Sequence, residues 1–233
     1  MNYQVVLDNT IKELNGKRPR LLLHVCCGPC SSYVMEYLNK YFDITIYYYN
    51  PNIDTLEEFN KRTGEVNRLV KEAEFAKGVK VLVAPYEKEL FEEISRGLEK
   101  EKEGGPRCKK CYHLRLKKTC LYAKENNYDY FTTTLSISPY KDAEALNNIG
   151  RHLEEEYGVK YLYSDFKKRN GYKRSIELSK EYNLYRQDYC GCIYSKMERE
   201  EYVKSKESNN RWFRWELLYS RKWKELFNYR SRW

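Results

Sequence analysis

Short apolar runs alternate with longer helical patterns along this chain, and few folds accept that alternation. Leu21–Val25, Ile44–Tyr49, Val79–Ala84, Tyr128–Thr134 and Lys160–Tyr163 read as strands. Between them, helices are expected from a Ser31 or Ser32 cap to about Lys40, and from an Asp54 cap through Leu56 to Lys77. Others are expected from Glu87 to Lys100, Lys110 to Asn126, Lys141 to Tyr157 and Tyr172 to Tyr182. Such alternation predicts an α/β, mostly parallel sheet with helices on both faces. Ligands of such sheets sit outside the carboxyl ends of the strands. There the sequence places the Cys26 loop, Asn50-Pro51-Asn52, and Ser136-Ile137-Ser138-Pro139.

The 233 residues suit one domain with a small appendage. We expect an α/β catalytic domain over 1–200 and a basic, Trp-rich C-terminal extension over 201–233. All four tryptophans lie in that extension, and Ser205–Asn210 has the polarity of a linker. Trp212, Trp215, Leu218 and Phe227 have the spacing of an amphipathic docking helix, while Trp212, Trp215 and Trp223 could instead stack nucleobases. The formal charge of +9 favours an anionic partner such as RNA. Residues 1–16 lack the apolar core of a signal peptide, and no run of about 18 apolar residues suggests a membrane span. A reducing, cytoplasmic setting is therefore expected, where clustered cysteines point to metal or redox chemistry.

Seven of the eight cysteines fall into three groups. Cys26, Cys27 and Cys30 follow the first strand. Cys108 and Cys111 follow Gly104-Gly105-Pro106, and Cys190 and Cys192 flank Gly191. Gly28, Gly105 and Gly191 mark places where backbone is expected to bend closely. Thiolates so spaced bind zinc or iron–sulfur clusters. Four satisfy one zinc or one 4Fe–4S cluster, so three remain for a second metal or a redox dithiol. Cys120 lies between Leu116 and Leu121 and reads as a packing residue. His24 reads as a core histidine beside the Cys loop, with a hydrogen bond to a thiolate as the alternative. No G-x-x-x-x-G-K-[ST], G-x-G-x-x-G or H-E-x-x-H motif is present.

These motifs together resemble the QueH family of epoxyqueuosine reductases. The resemblance runs from Arg20 to Ser195 through Leu22–Ser32, Tyr49–Ile53, Gly104–Cys111, Arg115-Leu116, Phe131–Pro139, Asn148–Gly150, Asp165–Lys168, Gly171-Tyr172 and Tyr185–Ser195. It implies a HUP-type, Rossmann-like fold and reduction of the epoxide of epoxyqueuosine to an alkene at the tRNA wobble position. It further implies a 4Fe–4S cluster, an additional mononuclear iron and no cobalamin. Two positions depart from the family pattern. Lys141-Asp142 stands where Lys-Asn is expected, and Cys30 stands where some relatives carry Asp.

On that resemblance, Cys27, Cys108, Cys111 and Cys190 are expected to hold the cluster, and Cys26, Cys30 and Cys192 the additional iron. The division assumes that adjacent thiols point apart. Tyr140, Asp142 and Tyr189 are candidate proton donors. Asn50, Asn52, Ser136, Ser138 and Arg186 are candidates for holding substrate. Phosphate contacts are expected from Lys109, Lys110, Arg115, Lys117 and Lys118, and from Lys167, Lys168 and Arg169. The partners expected are tRNA carrying epoxyqueuosine, a ferredoxin- or flavodoxin-like electron donor, and no membrane. Competing readings are a non-catalytic zinc or iron–sulfur tRNA-binding module, a thiol–disulfide oxidoreductase using Cys108 and Cys111, and an ATP-dependent tRNA-thiolating enzyme. The last requires an S-G-G-x-D-S-type loop where this chain has Cys-Cys-Gly-Pro-Cys.

Overall fold

The computed structural model describes residues 1–207, in two units. The first, Met1–Gln187, holds five strands: β1 (Arg20–His24), β2 (Asp43–Tyr48), β3 (Lys80–Val83), β4 (Tyr130–Thr133) and β5 (Lys160–Tyr161). Their order is β3-β2-β1-β4-β5, and every pairing is parallel. The central strand, β1, pairs Leu21 with Ile44 on one side and with Tyr130 on the other. Its Leu21, Leu22 and Leu23 are fully buried, each side chain contributing roughly 1.5–3 kcal/mol relative to exposure.

Alternation along the strands builds two cores. Leu21, Leu23, Ile44, Ile46 and Tyr48 face one core, with Leu7, Val34, Leu38, Phe59 and Leu69. Those partners lie on α1 (Tyr3–Glu13), α2 (Gly28–Leu38) and α3 (Leu56–Glu72). Leu22, Tyr47, Tyr49 and Phe131 face the other core, with Tyr112, Leu116, Leu146 and Leu153. These come from α5 (Pro106–Glu125) and α6 (Ala143–Tyr157); α4 (Lys88–Ser95) precedes them and α7 (Gly171–Glu181) closes the unit. The expected parallel sheet with helices on both faces is therefore the one observed.

Several boundaries differ from the sequence reading, each for a local reason. α2 begins at Gly28, with Cys27 as its N-cap and Pro29 in its first turn. Ser31 and Ser32 lie inside it and donate to the Gly28 and Pro29 carbonyls rather than capping. Thr55, not Asp54, caps α3 by accepting from the Glu58 amide. α5 begins at Pro106 rather than Lys110, because proline suits a first turn whose amide is unbonded anyway. The C-x-x-C pair is thus helical. α1 lies where no helix was expected; Asn2 caps it and Leu7 anchors it in the core.

In the second unit, residues 193–207 are helical, continuing through positions 200 and 201, and Ser205 lies in that helix rather than in a linker. Trp212, Trp215, Leu218, Trp223, Phe227 and Trp233 lie outside the described residues. No helix among the described residues is long and apolar enough to cross a membrane.

Candidate metal and substrate site

The carboxyl ends of β1, β2 and β4 share one edge of the sheet, since all strands are parallel. The chain leaves β1 into Val25, Cys26 and Cys27 and turns at once into α2. The thiols of Cys26, Cys27 and Cys30 all lie within 4.8 Å of one another. Cys26 Sγ and Cys27 Sγ are 3.7 Å apart. The expectation that these neighbours point apart is overturned: Cys27 is fully extended (φ −168°, ψ 164°) at the start of α2, and both sulfurs converge there. A metal binding thiolates at about 2.3 Å in a tetrahedral site holds them about 3.8 Å apart. The spacing therefore fits thiolates gathered by metal, on one ion or on two adjoining ones.

Three of the cysteine groups sit at amino ends of helices. Cys27 is the N-cap of α2 without using its thiol to cap, and Cys30 lies in the first turn. Cys108 lies in the first turn of α5, and Cys111 one turn on; both are buried. The Gly104 amide donates to Cys108 Sγ at 3.3 Å. Within the second unit, Cys192 directly precedes the helix of residues 193–207 and accepts from the Ser195 amide at 3.4 Å. Helix amino ends carry partial positive charge and unbonded N–H groups, which favour thiolate over thiol. Such placement suits ligands that bind metal only when deprotonated. Gly191, between Cys190 and Cys192, has φ +132°, a conformation open mainly to glycine.

Behind the triad lies a charge that the sequence reading assigned to phosphate. Arg115 is 1% exposed. Its Nη2 donates to Asn50 Oδ1 at 2.5 Å and its Nε to His24 Nε2 at 3.2 Å. His24 Nε2 also lies 3.1 Å from the Tyr49 carbonyl, so this nitrogen faces one group that only donates and one that only accepts, while Nδ1 lies 2.8 Å from Thr133 Oγ1. Burial, and then the Arg115 charge, hold the imidazole neutral, lowering its pKa to about 3. Asn50 Nδ2 in turn donates to the Val25 carbonyl at 2.9 Å. One guanidinium thus joins β1, the loop after β2 and α5 immediately below the cysteines.

That cation also bears on the thiols. The Cys26 thiol lies well below its ordinary range through hydrogen bonds from Cys27 and Cys30, aided by Arg115. Cys27, donating to Cys26, is pushed up to about 12, and Cys30 is raised for the same reason. One thiolate is therefore already favoured in the triad, solvated by its two neighbours. Cys120 is fully buried in the α5–α6 core, as expected of a packing residue, and burial pushes its thiol up to about 12.

The other predicted site residues divide by what surrounds them. Asp142 is the N-cap of α6, its Oδ1 accepting from the Glu144 and Ala145 amides. Capping explains why Asp stands where Asn was expected, since either carries the oxygen. Asp142→Asn should leave both turnover and stability unchanged, while Asp142→Ala should cost about 1 kcal/mol. Urea unfolding with a turnover assay checks this; loss of turnover in the Asn variant would make Asp142 a proton donor.

Tyr140 is 77% exposed, and Tyr189 lies half-buried in the second unit. Asn50 is committed to Arg115 and Val25. Ser136 is buried and accepts from the Phe166 amide; half-buried Ser138 accepts from the Tyr140 amide. Arg186 is exposed and donates to Ser179 Oγ. Asn52, 3% exposed, keeps a buried Oδ1 without a hydrogen-bond partner.

Among the basic residues, Lys109, Lys110 and Lys168 are exposed. Lys118 pairs with Glu87, Lys167 with Asp165 and Arg169 with Asp8. Lys117 lies half-buried with its ammonium 5.8 Å from the Tyr157 ring. Sequence reasoning missed Arg107, whose Nη1 reaches the carbonyls of Leu98, Glu99 and Glu101 from a 1% exposed position. It ties the loop before α5 to the turn that carries Cys108. Its only signal was its place inside the Gly104–Cys111 motif.

A family model described as epoxyqueuosine reductase QueH matches residues 21–198. A Streptococcus pyogenes serotype M1 protein named epoxyqueuosine reductase QueH is 43% identical over 212 residues, covering 89% of this chain and 83% of that protein. A Staphylococcus epidermidis protein of the same name is 42% identical over 205 residues, covering 85% and 86%. A Thermotoga maritima protein of that name is 35% identical over 187 residues, covering 78% and 92%.

Proposed function

The chain belongs to the QueH family of epoxyqueuosine reductases, and from that premise we propose that it reduces epoxyqueuosine in tRNA with an iron–sulfur centre and an adjacent iron. It is an oxidoreductase of queuosine biosynthesis. The reaction consumes two electrons and two protons, breaks both C–O bonds of the epoxide, forms the alkene and releases water. The observation that supports the metal reading is the convergence of three thiols at the carboxyl edge of the sheet.

The proposed ligands are Cys27, Cys108, Cys111 and Cys190 for a 4Fe–4S cluster, and Cys26, Cys30 and Cys192 for a mononuclear iron; because Cys26 and Cys27 converge, this division requires the two metals to adjoin. Cys190 and Cys192 enter this set through the family motif alone. When bound, such a centre supplies single-electron transfer and Lewis acidity toward the epoxide oxygen. The protein's own groups do the rest. Helix amino ends favour thiolates, and Arg115 offsets their charge from within. The Arg115–Asn50–Val25 chain of hydrogen bonds holds the Cys loop against the sheet. With Asp142 serving as a cap, the phenols of Tyr140 and Tyr189 are the proposed proton donors. Electrons are proposed to come from a ferredoxin- or flavodoxin-like protein.

The substrate arrives on a polyanion, and exposed Lys109 and Lys110 lie between Cys108 and Cys111 on the first turns of α5. If they contact phosphate, tRNA affinity should fall steeply with salt, and Lys109→Ala with Lys110→Ala should flatten the slope of log K against log salt by about 1–2. A filter-binding series at several salt concentrations checks this; an unchanged slope would remove these lysines from the interface.

The experiment for the whole reading is anaerobic purification with metal and sulfide analysis, then turnover of epoxyqueuosine-containing tRNA by reduced protein, with queuosine read by mass spectrometry. About five irons and four sulfides, with product, are expected. Zinc alone and no product would instead favour a non-catalytic tRNA-binding module.

A further inference from the structure

Two carboxamide oxygens, one near Cys27 and one in the loop after β2, lack the partners that buried oxygens normally have. Asn52 Oδ1 and Gln187 Oε1 are buried with no hydrogen-bond partner. Such an orphan costs roughly 1–3 kcal/mol and persists where something arrives to satisfy it. Both are tied to the cysteine loop. Asn52 is 3% exposed in the loop after β2, and two residues earlier Asn50 grips the carbonyl of Val25, next to Cys26. The Gln187 carboxamide lies close enough to the Cys27 thiol to lower its pKa, opposing the rise imposed by Cys26. An amide whose N–H₂ faces sulfur presents its oxygen as the group left to accept. The two oxygens thus lie on different segments: Gln187 beside Cys27, and Asn52 in the loop whose Asn50 bonds the carbonyl next to Cys26.

Only a ligand with hydrogen-bond donors can relieve two acceptors. A bare epoxide or phosphate has none. The reacting ring of epoxyqueuosine does: hydroxyl groups neighbour the epoxide on the cyclopentane, and they must come as close to the metal-binding thiols as the epoxide itself. Resting on the reductase reading above, we propose that Asn52 Oδ1 and Gln187 Oε1 accept hydrogen bonds from these ring hydroxyls. They fix which face and which end of the epoxide meets the metal site. They are positioning and specificity residues, since neither is required to exchange a proton or an electron.

The test compares epoxyqueuosine-tRNA with analogues lacking one ring hydroxyl, using metal-loaded wild-type protein, Asn52→Ala and Gln187→Ala. In the wild type, loss of a hydroxyl should lower kcat/KM at least about tenfold, because it leaves a buried acceptor unpaired. In each variant, kcat/KM for the full substrate should fall about tenfold while the penalty for the hydroxyl that the residue reads shrinks below about threefold. Iron content and visible spectrum should not change. The melting temperature of Asn52→Ala should stay close to wild type, because Asn52 Oδ1 has no hydrogen-bond partner to lose. Variants that discriminate against the deoxy analogues as strongly as the wild type overturn the assignment, even if slower. Wild-type protein that fails to reduce the full substrate overturns the reductase reading, and this inference with it.

Discussion

Alanine at Cys27 is expected to lower epoxyqueuosine reduction by about three orders of magnitude or more and, under the proposed ligand set, to remove bound iron, while the fold persists. The size follows from what a lost ligand would do: the proposed centre would relay the electrons and supply the electrophile, so no residual route of comparable rate would remain. The fold persists because Cys27 occupies the N-cap of α2 without a side-chain capping bond, and the helix is held by Val34, Met35 and Leu38 in the core. The paired experiment is Cys26→Ala. Under the proposed division, Cys27→Ala loses cluster sulfide and most of the iron, whereas Cys26→Ala keeps the sulfide and loses about one iron. If Cys26→Ala loses the sulfide instead, the two roles are exchanged. If both variants keep full metal and full turnover, the triad is not the metal site at all. Iron, sulfide and circular dichroism on the same preparations separate these outcomes.

Arg115→Met is the second change with a large expected effect, and here the loss is of stability. The side chain is 1% exposed and joins α5 to His24 on β1 and to Asn50 after β2. Methionine keeps much of the volume but strands the buried Asn50 oxygen, whereas His24 Nε2 keeps the Tyr49 carbonyl as a partner. One unsatisfied buried acceptor places the cost at about 1–3 kcal/mol. Lysine should not rescue it, because one ammonium cannot reproduce the two directed contacts of a guanidinium. The release of Asn50 also loosens its bond to Val25, so metal should dissociate faster from the variant. Urea unfolding of the metal-free protein measures the first effect, and chelator-driven iron release the second. Stability within about 0.5 kcal/mol of wild type would mean that Arg115 is not the cross-brace described here.

The fold class was legible in the chain because β1 and β2 are apolar runs and the amphipathic helices between them have their own period. Capping details were less legible. Asp54 and Thr55 both qualify as caps by residue type, and only the phase of α3 against the core chose Thr55. α1 escaped because its apolar residues do not share one buried face, Val5 being exposed and Val6 half-buried; its place is set mainly by Leu7 docking beneath the sheet, a contact between distant parts of the chain.

The cysteines show the same division. Their residue type and spacing by themselves determined that this protein gathers thiols at the ends of structural elements, and their company of motifs determined the family. Only the tertiary structure decided that Cys26 and Cys27 converge rather than diverge, since that depends on an extended residue meeting a helix start. Only it turned Arg115 from a surface charge into an internal one, and showed Asp142 capping a helix. A local pattern records what a side chain is able to do. Which of those abilities is used depends on neighbours brought together by the sheet, such as the 91 positions that separate Arg115 from His24.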